Sequence, residues 1–148
     1  MNMKKIAVFM SLVLMLFSMP LTTYAESVAP CAASAPPATP NWKLGVSVTS
    51  GLVINGTDAT CFSIVAGASS VTSITVEQYL QKEGFLWIYY SYDADSEWET
   101  TVSGNTASIY NYKSGLTSGK YRLKTIATLK TASGQTETIT SYSDPVEI

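Results

Sequence analysis

The sequence predicts an all-β protein built as a single antiparallel sandwich of seven strands. Three observations carry that expectation. Beyond residue 42 the β-rich runs recur roughly every 10–15 residues, separated by Gly-containing turns. The run from Tyr121 to Lys130 alternates apolar with basic or polar side chains, the period of a sheet with one solvated face. The one apolar run of helical character lies at the very start of the chain, before any of the strands.

That first segment is read as an export signal. Lys4 and Lys5 are followed by the apolar run Ile6–Phe17, then Pro20, then small residues up to Ala25. Basic start, apolar middle and small-residue cleavage site in that order describe a signal peptide over residues 1–25. The apolar run has about 12 residues, against the roughly 20 needed to span a bilayer. A secreted protein is expected, or a periplasmic one where the cell has an outer membrane. No membrane association is expected after cleavage. Residues 26–41 hold Pro30, Pro36, Pro37 and Pro40, which oppose helix and ladder formation, and are read as an extended Pro/Ala/Ser-rich arm. Residues 42–148 form the expected sandwich domain.

The strands follow in order. Val46–Ile54 leads into Asn55-Gly56, a two-residue hairpin signal, and Asp58–Ala66 returns as the second strand. Val71–Lys82 is the third, with Ile74, Val76 and Leu80 on one face and Thr75, Glu77, Tyr79 and Gln81 on the other. Glu83-Gly84 turns the chain into a fourth, Phe85–Tyr92. The fifth runs from Gly104 to Tyr112, the sixth from Gly119 to Thr131, and the seventh from Gln135 to Tyr142. In the sixth, Tyr121, Leu123, Thr125, Ala127 and Leu129 point inward, with Lys120, Arg122 and Lys124 outward.

Charge and composition exclude several functions. The chain carries −2, and without Lys4 and Lys5 its nine basic residues become seven against 11 acidic, near −4. Nucleic acid is not an expected partner, because it demands a basic footprint. There is no His. A Ser-His-Asp or Cys-His nucleophile is therefore impossible, and the commonest transition-metal ligand is missing. No cofactor and no catalytic residue are expected. Two cysteines in an exported chain read as one disulfide, Cys31–Cys61, with two free thiols as the alternative. In the chain-entropy model a closed loop of about 30 residues stabilises by roughly 3.6 kcal/mol.

Residues 115–147 place Leu116 in a turn, Tyr121 at the head of a long alternating strand, Gly134 in a turn and Ser143-Asp144-Pro145-Val146 at the end. This pattern resembles the last third of a fibronectin type III domain and implies an Ig-like/fibronectin type III-like sandwich. It also implies a tyrosine corner, in which the Tyr121 hydroxyl bonds back to upstream backbone. Leu80-Gln81-Lys82, Trp87, Tyr121-Arg122-Leu123-Lys124, Gly134, Glu137 and Ser141-Tyr142-Ser143 together resemble small secreted proteins of unknown function from Gram-positive bacteria. That likeness implies a fold and a compartment and no activity.

Two clusters are candidate sites. Asp93, Asp95, Glu97 and Glu99 alternate, so on an extended strand all four would share a face. Their readings are a solvated hairpin, a Ca²⁺ site or a glycosidase pair, and the solvated hairpin is adopted, with no metal. The aromatic run Phe85–Tyr92 is apolar on both sides, and a sandwich buries only one face of each sheet. Trp87, Tyr89, Trp98, Tyr110 and Tyr112 are therefore the expected ligand-binding residues, set to stack on surface glycan or dock a protein. The competing reading is cross-strand aromatic pairs that stabilise the sheet. The function expected is a secreted, non-catalytic binding or interaction module. The alternative is a secreted structural protein with no small-molecule site.

Overall fold

A computed structural model describes residues 41–148. The segment expected to be a signal peptide, Cys31 and all but the last residue of the expected Pro-rich arm lie outside the described residues. The described chain forms two antiparallel sheets. One has the order β1 (Gly45–Asn55), β2 (Asp58–Gly67), β6 (Thr106–Lys113). The other is centred on β3 (Val71–Glu83) and β7 (Lys120–Thr131), which pair along most of their length. On its far side β3 pairs with β4 (Tyr89–Ser91) and β5 (Glu97–Ser103), while β7 pairs with β8 (Thr136–Tyr142) and β9 (Val146–Glu147). The two sheets form a β-sandwich. Among the described residues no helix is long and apolar enough to cross a membrane.

The alternation read in the sequence sets the core. Tyr121, Leu123, Thr125, Ala127 and Leu129 of β7 are all buried, as are Ile74, Val76 and Leu80 of β3. Their partners across the sandwich are Ala59, Cys61 and Val65 of β2 and Leu52 of β1. The core is divided in two. One cluster gathers Leu44, Val65, Val71, Ile74, Val76, Ala107, Ala127, Leu129 and Ile139. The other gathers Leu52, Ala59, Cys61, Leu80, Leu116, Tyr121 and Leu123.

A polar belt lies between the two clusters. The Gln78 amide donates to Ser63 Oγ at 2.7 Å, and its carbonyl accepts from Asn111 Nδ2 at 2.7 Å. The Ser63 hydroxyl shares a 2.7 Å bond with Thr125, whose Oγ1 also accepts from Ser50. Gln78, Ser63 and Thr125 are fully buried, and among the described residues no buried side-chain polar atom lacks a partner. A satisfied network avoids the desolvation cost of lone polar groups and ties both sheets to one register.

Two expectations are corrected. Phe85–Tyr92 is not a continuous strand. Phe85–Trp87 is a single 3₁₀ turn closed by the Gly84 amide on the Ile88 carbonyl at 2.8 Å, and pairing resumes only over Tyr89–Ser91. Glu97–Ser103, read as loop, is a strand pairing with β3 from Tyr79 to Ser73, so the strands number nine among the described residues. The expected Cys31–Cys61 bond involves Cys31, which lies outside the described residues. Cys61 is a thiol with none of its surface exposed, held under Leu80, Leu123 and Tyr121, and burial pushes its pKa up to about 12.

The Tyr121 hydroxyl donates to the Thr117 carbonyl at 2.6 Å, the upstream backbone bond that the fibronectin-like pattern implied. Leu116 is buried beneath it. At the other end of the sandwich Glu137 anchors the entry of β1. Its carboxylate accepts from the backbone N–H of Lys43 (2.9 Å), Leu44 (2.6 Å) and Gly45 (2.8 Å). These bonds, led by that of Lys43, hold its pKa below the usual value of 4.5. A carboxylate whose folded pKa is depressed stabilises the fold above its unfolded pKa, and the contribution disappears as pH falls through the folded value. Glu137→Gln is thus expected to lower the urea midpoint at pH 7 but to match the parent at pH 3. An equal deficit at both pH values would show that charge plays no part.

Candidate functional site

Because side chains alternate, the outer face of the three-stranded sheet is set by the register of β1, β2 and β6. Phe62 stands opposite Tyr110 on one side and Gly51 on the other, and Thr60 stands opposite Tyr112. The Phe62 and Tyr110 rings stack with centroids 6.1 Å apart and planes at 26°. Gly51 makes room for this: a Cβ there would lie 1.9 Å from Phe62 Cζ, so the ring rests across bare backbone. Tyr110 is 54% and Tyr112 71% exposed, with Val53 and Ile64 also exposed beside them. The result is a flat aromatic strip along β2 and β6.

A second apolar surface lies at the β3–β4 tip. Leu86 (φ 61°) and Trp87 (φ 63°) both adopt left-handed backbone, which is costly for residues with side chains. Phe85 is 87% and Trp87 79% exposed, and Leu86 and Ile88 are exposed with them. Tyr90 folds back over Gly84, where a Cβ would come within 2.4 Å of its ring.

The outer face of the six-stranded sheet is different in chemistry. The Arg122 guanidinium lies between two rings, 4.0 Å from the centroid of Tyr89 and 4.3 Å from that of Tyr142. Its Nε donates to Gln81 Oε1 at 2.9 Å. Beside it, Lys124 Nζ is 5.6 Å from the Tyr79 ring. The Tyr79 hydroxyl donates to Glu77 at 2.6 Å. That bond, with desolvation and the charges of Glu77, Glu97 and Glu99, raises the Tyr79 pKa to about 12.

The five sequence-predicted ligand residues therefore divide into three groups. Tyr110 and Tyr112 share the aromatic strip. Trp87 projects from the tip, and Tyr89, close to it in sequence, is engaged with Arg122. Trp98 is half-buried, pairs with Gln78 in register, and packs against the Leu80–Tyr121 cluster. Phe62 was missed, although the alternation of DATCFSIVA turns it outward with Ile64. The carboxylates are also divided. Ala94–Ser96 forms a 3₁₀ turn capped by Asp93, with the Ser96 hydroxyl donating to the Asp93 carbonyl at 2.7 Å. Asp93 forms an ion pair with Lys113 at 2.8 Å, and this lowers the Asp93 pKa. Only Glu97 and Glu99 share a strand face. Among the described residues no three potential ligands stand together as a metal site would require.

Fold and surface together define a β-sandwich with exposed aromatic faces. No protein-family model matches the chain, and no curated protein does. Solved structures similar to it include three of OgpA from Akkermansia muciniphila. Two are wild-type crystal forms, at 12% identity with TM-score 0.35 and at 14% with TM-score 0.37. The third is a catalytically inactive form in complex with an O-glycopeptide (glycodrosocin) substrate, at 11% identity and TM-score 0.35. The matches cover 65%, 68% and 69% of this chain, which spans only 27–29% of the OgpA length.

Proposed function

We propose that the protein is an exported, non-catalytic binding module of Ig-like/fibronectin type III-like build that recognises surface glycan through the Phe62–Tyr110–Tyr112 strip. The observation that carries this reading is the stacked, in-register pair of Phe62 and Tyr110 laid over Gly51, with Tyr112 standing free beside it. Rings held flat on a rigid sheet offer a large apolar area at little entropic cost, and the Tyr hydroxyls add polar contacts. The apolar face of a sugar ring is the matching surface. Strand order β1-β2-β6 against β3-β7-β8, with the Tyr121 corner bond, supports the Ig-like build.

The test is retention of the purified protein on insoluble peptidoglycan, cellulose, chitin and mucin. Binding to at least one polymer is expected, and Tyr112→Ala should weaken it roughly three- to tenfold, the value of one aromatic stack. Trp87→Ala, altered at the tip, should leave it unchanged. No retention on any polymer overturns the glycan reading, as does retention that Tyr112→Ala and Phe62→Ala both leave intact.

A further inference from the structure

We propose that the outer face of the six-stranded sheet is a dimerisation surface that takes a second copy of this chain across a twofold axis parallel to the strands. The face is separate from the aromatic strip and is segregated by charge. Arg122, Lys124 and Lys130 lie along β7, while Glu77 lies on β3 and Glu97 and Glu99 on β5. Glu77 and Glu99 stand directly opposite one another in register, a destabilising juxtaposition of like charges. Among the described residues the ion pair present is Lys113–Asp93, away from this face, and none of these six charges forms one. The Tyr79 ring separates the two signs, because it is the register partner of both Glu97 and Lys124.

A patch divided this way is complementary to itself under one rotation. A twofold axis parallel to the strands and lying between the two copies carries β7 of one over β3 and β5 of the other. Lys124 and Glu97 belong to the same row across the sheet, so each Lys124 then meets the partner's Glu97 row. An axis perpendicular to the strands sets β7 against β7 and brings like charges together, so charge selects the first arrangement. The cations are already ordered for it. Arg122 is clamped between two rings and Lys124 rests on a third. The rest of the face is level, with short side chains bonded in cross-strand pairs: Thr75 to Thr101 at 2.9 Å and Thr128 to Thr138 at 3.1 Å. The six strands of this sheet, at about 3.4 Å per residue and about 4.8 Å apart, make a face of roughly 700 Å². That is close to the ~800 Å² per partner of a specific interface, and so polar a surface fits a salt-sensitive, micromolar dimer.

The test is sedimentation velocity on the purified protein from about 1 to 200 µM, in salt of about 20 mM and about 500 mM. A concentration-dependent dimer is expected at low salt, weakened at high salt. Lys124→Glu and Glu97→Lys, both on the solvated face, should each raise the dimer Kd on the order of tenfold or more. An equimolar mixture of the two variants should dimerise again, because each altered residue then faces an opposite charge at both copies of the contact. A protein monomeric throughout, a dimer untouched by either variant, or a mixture that stays monomeric overturns the proposal.

Discussion

Tyr121→Ala is expected to destabilise the fold by about 3–5 kcal/mol, the range for losing a large buried aromatic. Tyr121 is the largest fully buried side chain. Its ring meets Tyr92 edge-on at 5.5 Å and lies beneath Lys82 Nζ at 5.3 Å, while its hydroxyl fixes the loop before β7 through Thr117. Truncation therefore opens a cavity under Leu116 and Leu123 and also frees that loop. Tyr121→Phe separates the two contributions. It keeps the ring and removes the hydroxyl, and should cost only about 1 kcal/mol, the net worth of one hydrogen bond. Urea unfolding followed by Trp fluorescence measures both. If Tyr121→Phe costs as much as Tyr121→Ala, the corner bond rather than the packing holds this end of the sandwich.

Gln78→Leu should cost about 1–3 kcal/mol although it makes the core more apolar. Leu fills a similar volume, but it removes the acceptor of Asn111 Nδ2 and a donor to Ser63 Oγ. A polar group orphaned inside a sandwich loses water without gaining a partner. For a domain whose whole stability is about 5–15 kcal/mol, this is a substantial fraction. Replacing Asn111 by Leu in the same chain should recover part of the loss, because removing both partners leaves no orphan. A Gln78→Leu variant as stable as the parent would mean that the belt plays no part in holding the sheets in register.

What could be read before the fold was known follows period two. The inward set of β7 and the faces of β3 came directly from alternation, because a strand's own sequence decides which of its side chains share a side. Gly84 and Asn55-Gly56 marked turns for an equally local reason. The errors arose where local pattern is ambiguous. Phe85–Ile88 has the composition of a strand, yet its residues turn out of the sheet, because Gly84 and the Ile88 carbonyl close a tight turn before β3 can continue. Glu97–Ser103 alternates as a strand does, but its charges favour a loop in isolation, and it becomes a strand because β3 offers it an edge.

Composition and alternation fix the class of fold, the inward and outward faces of its long strands, the lack of His chemistry and the abundance of aromatic side chains. Which aromatics meet is set by the pairing of the strands. Phe62 lies over Gly51 and against Tyr110 because β2 sits between β1 and β6 in one register. Trp98 turns toward the core beside Gln78, and Glu77 is brought against Glu99. Each of these depends on pairing between strands distant in the chain. Alternation fixes the side of a sheet on which a residue falls, but the neighbour it finds there is set by strand order and register, which are properties of the whole fold.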